Sequence, residues 1–160
     1  MATVFWDRFG IILIDFTPRG TTVNAEYYCE TLFKLRLQVT ASSYTLQSRR
    51  RGRLTDGIIL LHDNARPHVA GKTLDLLNRF GWEIFSHPPY SPDLAPSDYH
   101  LFGKLKEFLG GKQFAGDDEL KDAVNRWLNE LAAEEYDEGI LKLVNRYDKC
   151  LNSYGDYVEH

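Results

Sequence analysis

The run Gly57-Ile58-Ile59-Leu60-Leu61 constrains this chain more than any other segment. It has no polar side chain and stops abruptly at His62-Asp63-Asn64, as expected for a short strand buried on both faces. Such a strand needs helices to cover it. After Pro67, the positions Val69, Thr73, Leu76 and Leu77 mark a helix, Gly81 ends it, and Trp82 to Phe85 reads as the next strand. The order strand, helix, strand identifies an α/β fold.

Upstream, Val4-Phe5-Trp6 and Ile11 to Ile14 are β-branched or aromatic and flank a turn at Arg8 to Gly10, which predicts a hairpin over Thr3 to Phe16. Thr22 or Asn24 then caps a helix with Tyr28, Leu32, Leu35 and Val39 on one face. Thr40 to Asp56 has no clean period and stays open between helix and loop. Downstream, Pro88, Pro89, Pro92 and Pro96 exclude a helix interior or central strand and require a stiff loop. Ser97 is placed to cap a helix through Leu101, Leu105, Phe108 and Leu109, and two more amphipathic helices follow, through Leu120 to Leu131 and Ile140 to Leu151.

A chain of 160 residues with 43% hydrophobic content can enclose one sizeable core, so a single domain over 1–160 is expected. Cys29 and Cys150, far apart, argue against a disulfide scaffold or a zinc module and for a reducing compartment. With charges throughout the N-terminal segment and no long apolar run, neither a signal peptide nor a membrane span is expected, and the protein is read as intracellular. The net charge of −4 hides an asymmetry: residues 1–80 carry 11 Lys/Arg against 7 Asp/Glu, and residues 81–160 carry 8 against 16. A polyanion should therefore meet the first half, where Arg49, Arg50, Arg51 and Arg53 form either a phosphate-contacting patch or a solvated loop.

Asp63 stands where the buried strand ends, the position at which open α/β sheets gather ligands. Asp98 lies in the first turn of a helix delivered by the proline loop. Two carboxylates so placed suit a hard divalent cation, Mg²⁺ or Mn²⁺; equally, Asp63 is an ordinary turn residue and Asp98 is favoured by the helix dipole. His62 and His68 suit capping or support of a neighbouring ligand better than coordination. Arg66 could touch phosphate or simply start a helix.

The segments His62-Asp63-Asn64-Ala65-Arg66-Pro67-His68 and Pro88 to Phe102 resemble the catalytic domain of mariner DNA transposases, of the Tc1/mariner group, with the family's 34 residues between Asp63 and Asp98. Trp6 to Gly10, Gly20 to Asn24 and Tyr147 to Tyr157 extend the resemblance over nearly the whole chain, and the same type of sequence occurs fused to a SET methyltransferase domain. The resemblance implies an RNase H-like mixed sheet flanked by helices, with a core over about 3–112 and C-terminal helices over about 117–152. It further implies DNA cleavage and strand transfer by three aspartates and two metal ions, Mg²⁺ or Mn²⁺, with no small-molecule cofactor. Asp63 and Asp98 match the second and third acids, Arg49, Arg50, Arg51, Arg53 and Arg66 are candidate DNA contacts, and His62, Asn64 and His68 are candidate supports of the ligands. DNA is the implied partner, a homodimer the implied assembly, and the nucleus the implied location. The family's first acid lies on a central strand before the one containing Trp6, so this sequence is expected to be N-terminally truncated, to lack that strand and acid, and to be inactive alone. Asp7 and Asp15 are poor substitutes. The alternative is a degenerate or domesticated remnant that binds DNA or a protein without turnover.

Overall fold

In the computed structural model, which describes residues 1–45 and 58–153 and the side chains of 1–40 and 58–153, β1 (Ala2–Asp7) and β2 (Gly10–Phe16) form the expected hairpin. Asp7 Oδ1 accepts the Phe9 N–H at 2.8 Å, and Gly10 adopts φ +133°, a conformation closed to most side chains. At the open end the Thr17 N–H donates to the Met1 carbonyl at 2.8 Å.

Of the two candidate caps for α1 (Ala25–Thr45), Asn24 does the work: its Oδ1 accepts the Tyr27 N–H at 2.8 Å. The predicted stripe is buried. Tyr28, Leu32, Leu35 and Val39 form one core with Leu60, Leu76 and Leu77, and Phe5, Ile12, Leu13 and Trp82 pack against it. Each fully buried Leu contributes about 2 kcal/mol of apolar transfer free energy. The helix after Pro67 is two helices, α2 (Arg66–Val69) and α3 (Gly71–Phe80), because Ala70 is extended at ψ 146°. Gly81 closes α3 at φ +70°; its N–H bonds the Asn78 carbonyl, and the Trp82 N–H bonds that of Leu77.

β3 (Ile59–Leu60) and β4 (Glu83–Ile84) run parallel, Ile59 opposite Glu83 and Leu60 opposite Ile84. Both are shorter than the apolar runs predicted. Nor is β3 buried on both faces: Leu60 enters the core, while Ile59 is 65% exposed. The reason is the pleat. Leu60 shares its core with α1 and α3, and its neighbour points the other way. The two two-stranded sheets do not pair with each other among the described residues.

Contacts divide the chain into two units, one of Met1–Phe5 and Ile12–Pro89, the other of Trp6–Ile11 and Tyr90–His160. In the first, the nearly buried Asp15 accepts hydrogen bonds from Lys34 Nζ (2.8 Å), Tyr27 (2.9 Å) and Thr31 (3.1 Å). Burial alone would raise its carboxyl, but these donors outweigh that and hold it below the ordinary value.

The second unit contains a 3-10 turn at Pro92–Leu94, a π-helical segment at Ser97–Phe102, and α4 (Gly103–Leu109), α5 (Asp117–Glu130) and α6 (Ala133–Asn152). Leu94, Leu101, Val124, Leu128 and Tyr136 are buried in it, and the Tyr136 hydroxyl donates to the Leu128 carbonyl. Trp6 packs on Tyr136 with ring centroids 5.5 Å apart, and Arg8 forks onto Asp137, Nε to Oδ1 at 2.8 Å and Nη2 to Oδ2 at 3.2 Å. Gly139 lets α6 approach the buried His100 ring: a Cβ there would lie 2.5 Å from His100 Cδ2. Among the described residues no helix is long and apolar enough to cross a membrane.

Two stability measurements check these contacts. Asp15→Asn should lower the urea unfolding free energy by about 1–3 kcal/mol at pH 7. Because the folded carboxyl is depressed, that difference should be complete above about pH 4 and shrink as the pH falls through the folded value. Gly139→Ala should cost about 1–3 kcal/mol by overpacking against a ring that is buried and cannot yield.

Candidate functional site

Asp63 lies beyond the C-terminal end of β3, where the chain leaves the sheet for α2. Its Oδ1 accepts the Ala65 N–H at 3.0 Å and is 2.6 Å from His68 Nδ1; Oδ2 takes part in neither contact. The side chain is 60% exposed. Burial would raise the carboxyl, but the Ala65 N–H and the His68 ring outweigh it and keep it below the ordinary aspartate value, hence ionised at neutral pH. An ionised carboxylate only accepts, so His68 carries a proton on Nδ1.

The surrounding groups hold this turn in place. Asn64 Nδ2 donates to the His87 carbonyl at 2.7 Å, tying the turn to the segment after β4. His62 and His68 stack with planes 2° apart and centroids 4.9 Å apart. His62 Nδ1 lies 2.8 Å from the Tyr28 hydroxyl. Burial and the adjacent His68 lower His62 to about 4, so it is neutral at physiological pH.

Asp98 is exposed in the first turn of the π-helical segment, and the residues beside it are fastened. Ser97 does not cap the helix: no side-chain cap is made, and its Oγ accepts the Trp6 Nε1–H at 2.9 Å instead. Tyr99 donates its hydroxyl to the Gly139 carbonyl at 2.6 Å and lies under the Arg146 guanidinium, 4.1 Å from the ring centre. His100 Nε2 is 2.7 Å from the Glu135 carbonyl, and Arg146 Nη1 donates to the Asp93 carbonyl at 3.2 Å. The backbone carrying Asp98 is thus held on both sides while its side chain stays accessible. π-Helical turns recur at functional sites for this reason, since they re-aim one residue within an otherwise regular helix.

Asp63 belongs to the first unit and Asp98 to the second. Arg66, the first residue of α2, is exposed, whereas Arg49, Arg50, Arg51 and Arg53 lie outside the described residues. Asp7 closes the hairpin turn and Asp15 is engaged by Lys34, Tyr27 and Thr31, so both are committed to structural bonds. Among the described residues, no three His, Cys, Asp or Glu side chains gather as a metal cage. What fits a hard divalent ion is the donor chemistry of Asp63 itself, an ionised oxygen ligand with a histidine behind it. Sequence reasoning missed Tyr28, Trp6 and Arg146. The α1 periodicity marks Tyr28 only as core, and no spacing signal connects the other two to Ser97 or Tyr99.

A transposase family model described as a partial DDE domain matches residues 1–49. The human histone-lysine N-methyltransferase SETMAR is 37% identical over 159 residues, covering 99% of this chain and 22% of that protein. The Mariner Mos1 transposase of Drosophila mauritiana is 38% identical over 163 residues, covering 99% of this chain and 45% of the enzyme. The chain thus spans less than half the length of these curated relatives. The crystal structure of the Mos1 mariner transposase catalytic domain superposes with a TM-score of 0.88 at 37% identity, over 98% of this chain and 74% of that one. Structures of that enzyme with Raltegravir and Mg or Mn, and of its paired-end complex with the left transposon end, match at TM-scores of 0.86–0.88. With the strand-end aspartate, the proline loop and the second aspartate in the family's order, and with this identity over about three quarters of a solved catalytic domain, the chain belongs to the mariner transposase catalytic-domain family.

Proposed function

We propose that this domain acts on DNA by metal-dependent phosphoryl transfer, with Asp63 and Asp98 as two of its catalytic carboxylates. The observation that carries the reading is Asp63: ionised, at a strand end, accessible, and fixed by Ala65 and His68. Mg²⁺ or Mn²⁺ bound by Asp63 and Asp98 would stabilise the charge that develops on phosphate oxygens during in-line displacement. The chain's own residues do the rest. His68 holds one oxygen of Asp63, Asn64 anchors the turn, and His62 stacks behind His68. Arg66 offers a guanidinium to the DNA backbone, and the segment with Arg49, Arg50, Arg51 and Arg53 supplies further phosphate contacts.

The metal-bearing and paired-end structures of Mos1 support divalent-ion use, DNA as partner and two copies acting together. A chromosomal substrate would place the protein in the nucleus. The family's reaction uses three acids, and the resemblance assigns two to this chain. Since Asp7 and Asp15 are both spent on structural bonds, these 160 residues alone are read as binding DNA without cutting it. That favours a second reading, a DNA-binding or protein-interaction module without turnover.

In Mn²⁺, the folded 160-residue chain should leave supercoiled plasmid unnicked. Nicking that disappears in Asp63→Asn would show instead that these carboxylates suffice. Duplex binding followed by fluorescence anisotropy should survive Asp63→Asn and Asp98→Asn. It should weaken with salt, and neutralising Arg49, Arg50, Arg51 and Arg53 together should reduce the salt slope by up to about 4. Binding indifferent to salt and to these arginines would sink the DNA assignment.

A further inference from the structure

Tyr28 does more than fill the core. It is 2% exposed on the buried face of α1, where phenylalanine would pack equally well, yet its hydroxyl lies 2.8 Å from His62 Nδ1. Its ring also meets His68, centroid to centroid at 4.2 Å, and His62 at 5.9 Å. The two imidazoles are parallel within 2°, and His68 Nδ1 is 2.6 Å from Asp63 Oδ1. These contacts run in series through the first unit, from a helix locked in the core to a carboxylate on an exposed turn.

We infer that Tyr28 is a positioning residue for Asp63: its ring and hydroxyl fix the His62–His68 stack, and His68 in turn fixes the carboxylate. An aspartate on a turn has two side-chain torsions, so Ala65 alone cannot settle where its second oxygen points. His68 provides the other restraint, and the ring has little freedom because Tyr28 lies on one side and His62 along its face. On this assignment the Tyr28 hydroxyl is the donor to His62 Nδ1, and the His62 proton is left on Nε2. The His68 proton is on Nδ1, facing Asp63. The inference rests on the reading of Asp63 as a metal ligand, and one arm of the test isolates that reading.

The test measures Mn²⁺ affinity of the full chain from the loss of the free-ion EPR signal, alongside imidazole ¹⁵N spectra that report which nitrogen carries each proton. Asp63→Asn should abolish the binding. His68→Ala should weaken it about tenfold or more, and His68→Asn, whose amide nitrogen can occupy the place of Nδ1, should restore much of the loss. Tyr28→Phe keeps the ring and removes only the hydroxyl; it should weaken Mn²⁺ binding about tenfold and let the His62 proton distribute over both nitrogens. Unchanged affinity and unchanged ¹⁵N signals in Tyr28→Phe would reduce Tyr28 to a core residue and overturn the inference. So would wild-type affinity in His68→Ala, at a partly exposed position whose change leaves the core intact. Mn²⁺ binding unaffected by Asp63→Asn would instead overturn the metal reading, and the positioning role would fall with it.

Discussion

The buried face of α1 sets the geometry of the first unit, because both two-stranded sheets and α3 meet it. Leu32, Leu35 and Val39 give that face its apolar area, Phe5, Ile12 and Leu13 bring the hairpin to it, and Leu60 brings β3. Apolar contact is non-directional and would tolerate some sliding. Asp15 supplies direction: it stands on β2 and takes Tyr27, Thr31 and Lys34, three residues of α1 spanning two turns. One strand carboxylate therefore fixes the rotation of the helix against the hairpin, and with it the position of Tyr28 relative to the end of β3.

The second unit solves a similar problem with one hydroxyl and two backbone carbonyls. Trp6 reaches Ser97, Tyr99 reaches Gly139, and His100 faces the Glu135 carbonyl, so each residue around Asp98 is tied to a different point. Gly139 is what permits this spacing, since any side chain on α6 at that point would occupy the space of the imidazole. Asp63 and Asp98 thus share a design in which the carboxylate is accessible and its neighbours are held.

Legibility from sequence followed the physics of each feature. The α1 stripe, the Asn24 cap and the Gly81 terminus depend on residues within a turn or two of one another, and periodicity or cap chemistry exposes them. The places of Asp63 at a strand end and of Asp98 in the first turn after a proline loop follow from the apolar run and the prolines, whereas their pairing as a site rests on the family resemblance. The length of β3, the exposure of Ile59, and the partners of Ser97 and Tyr28 depend on residues 34 to 91 positions apart, which no local pattern encodes. An apolar run reveals that a strand has somewhere to bury itself, but the number of covered faces depends on elements elsewhere in the chain.

The π-helical stretch from Ser97 to Phe102 amounts to a regular helix with one residue too many. Removing a single residue there would let the segment close into ordinary α-helix with its two flanks kept nearly in phase, because the π turn already absorbs the extra residue. A deletion in the regular turns of α4 meets no such slack and would turn the chain on one side of it by about 100° relative to the other. The junction therefore has room for the loss of one residue that the regular turns after it lack. Among homologous chains, a copy one residue shorter between Pro96 and Gly103 would be one in which the π turn has closed to α, with the helix on either side still in phase.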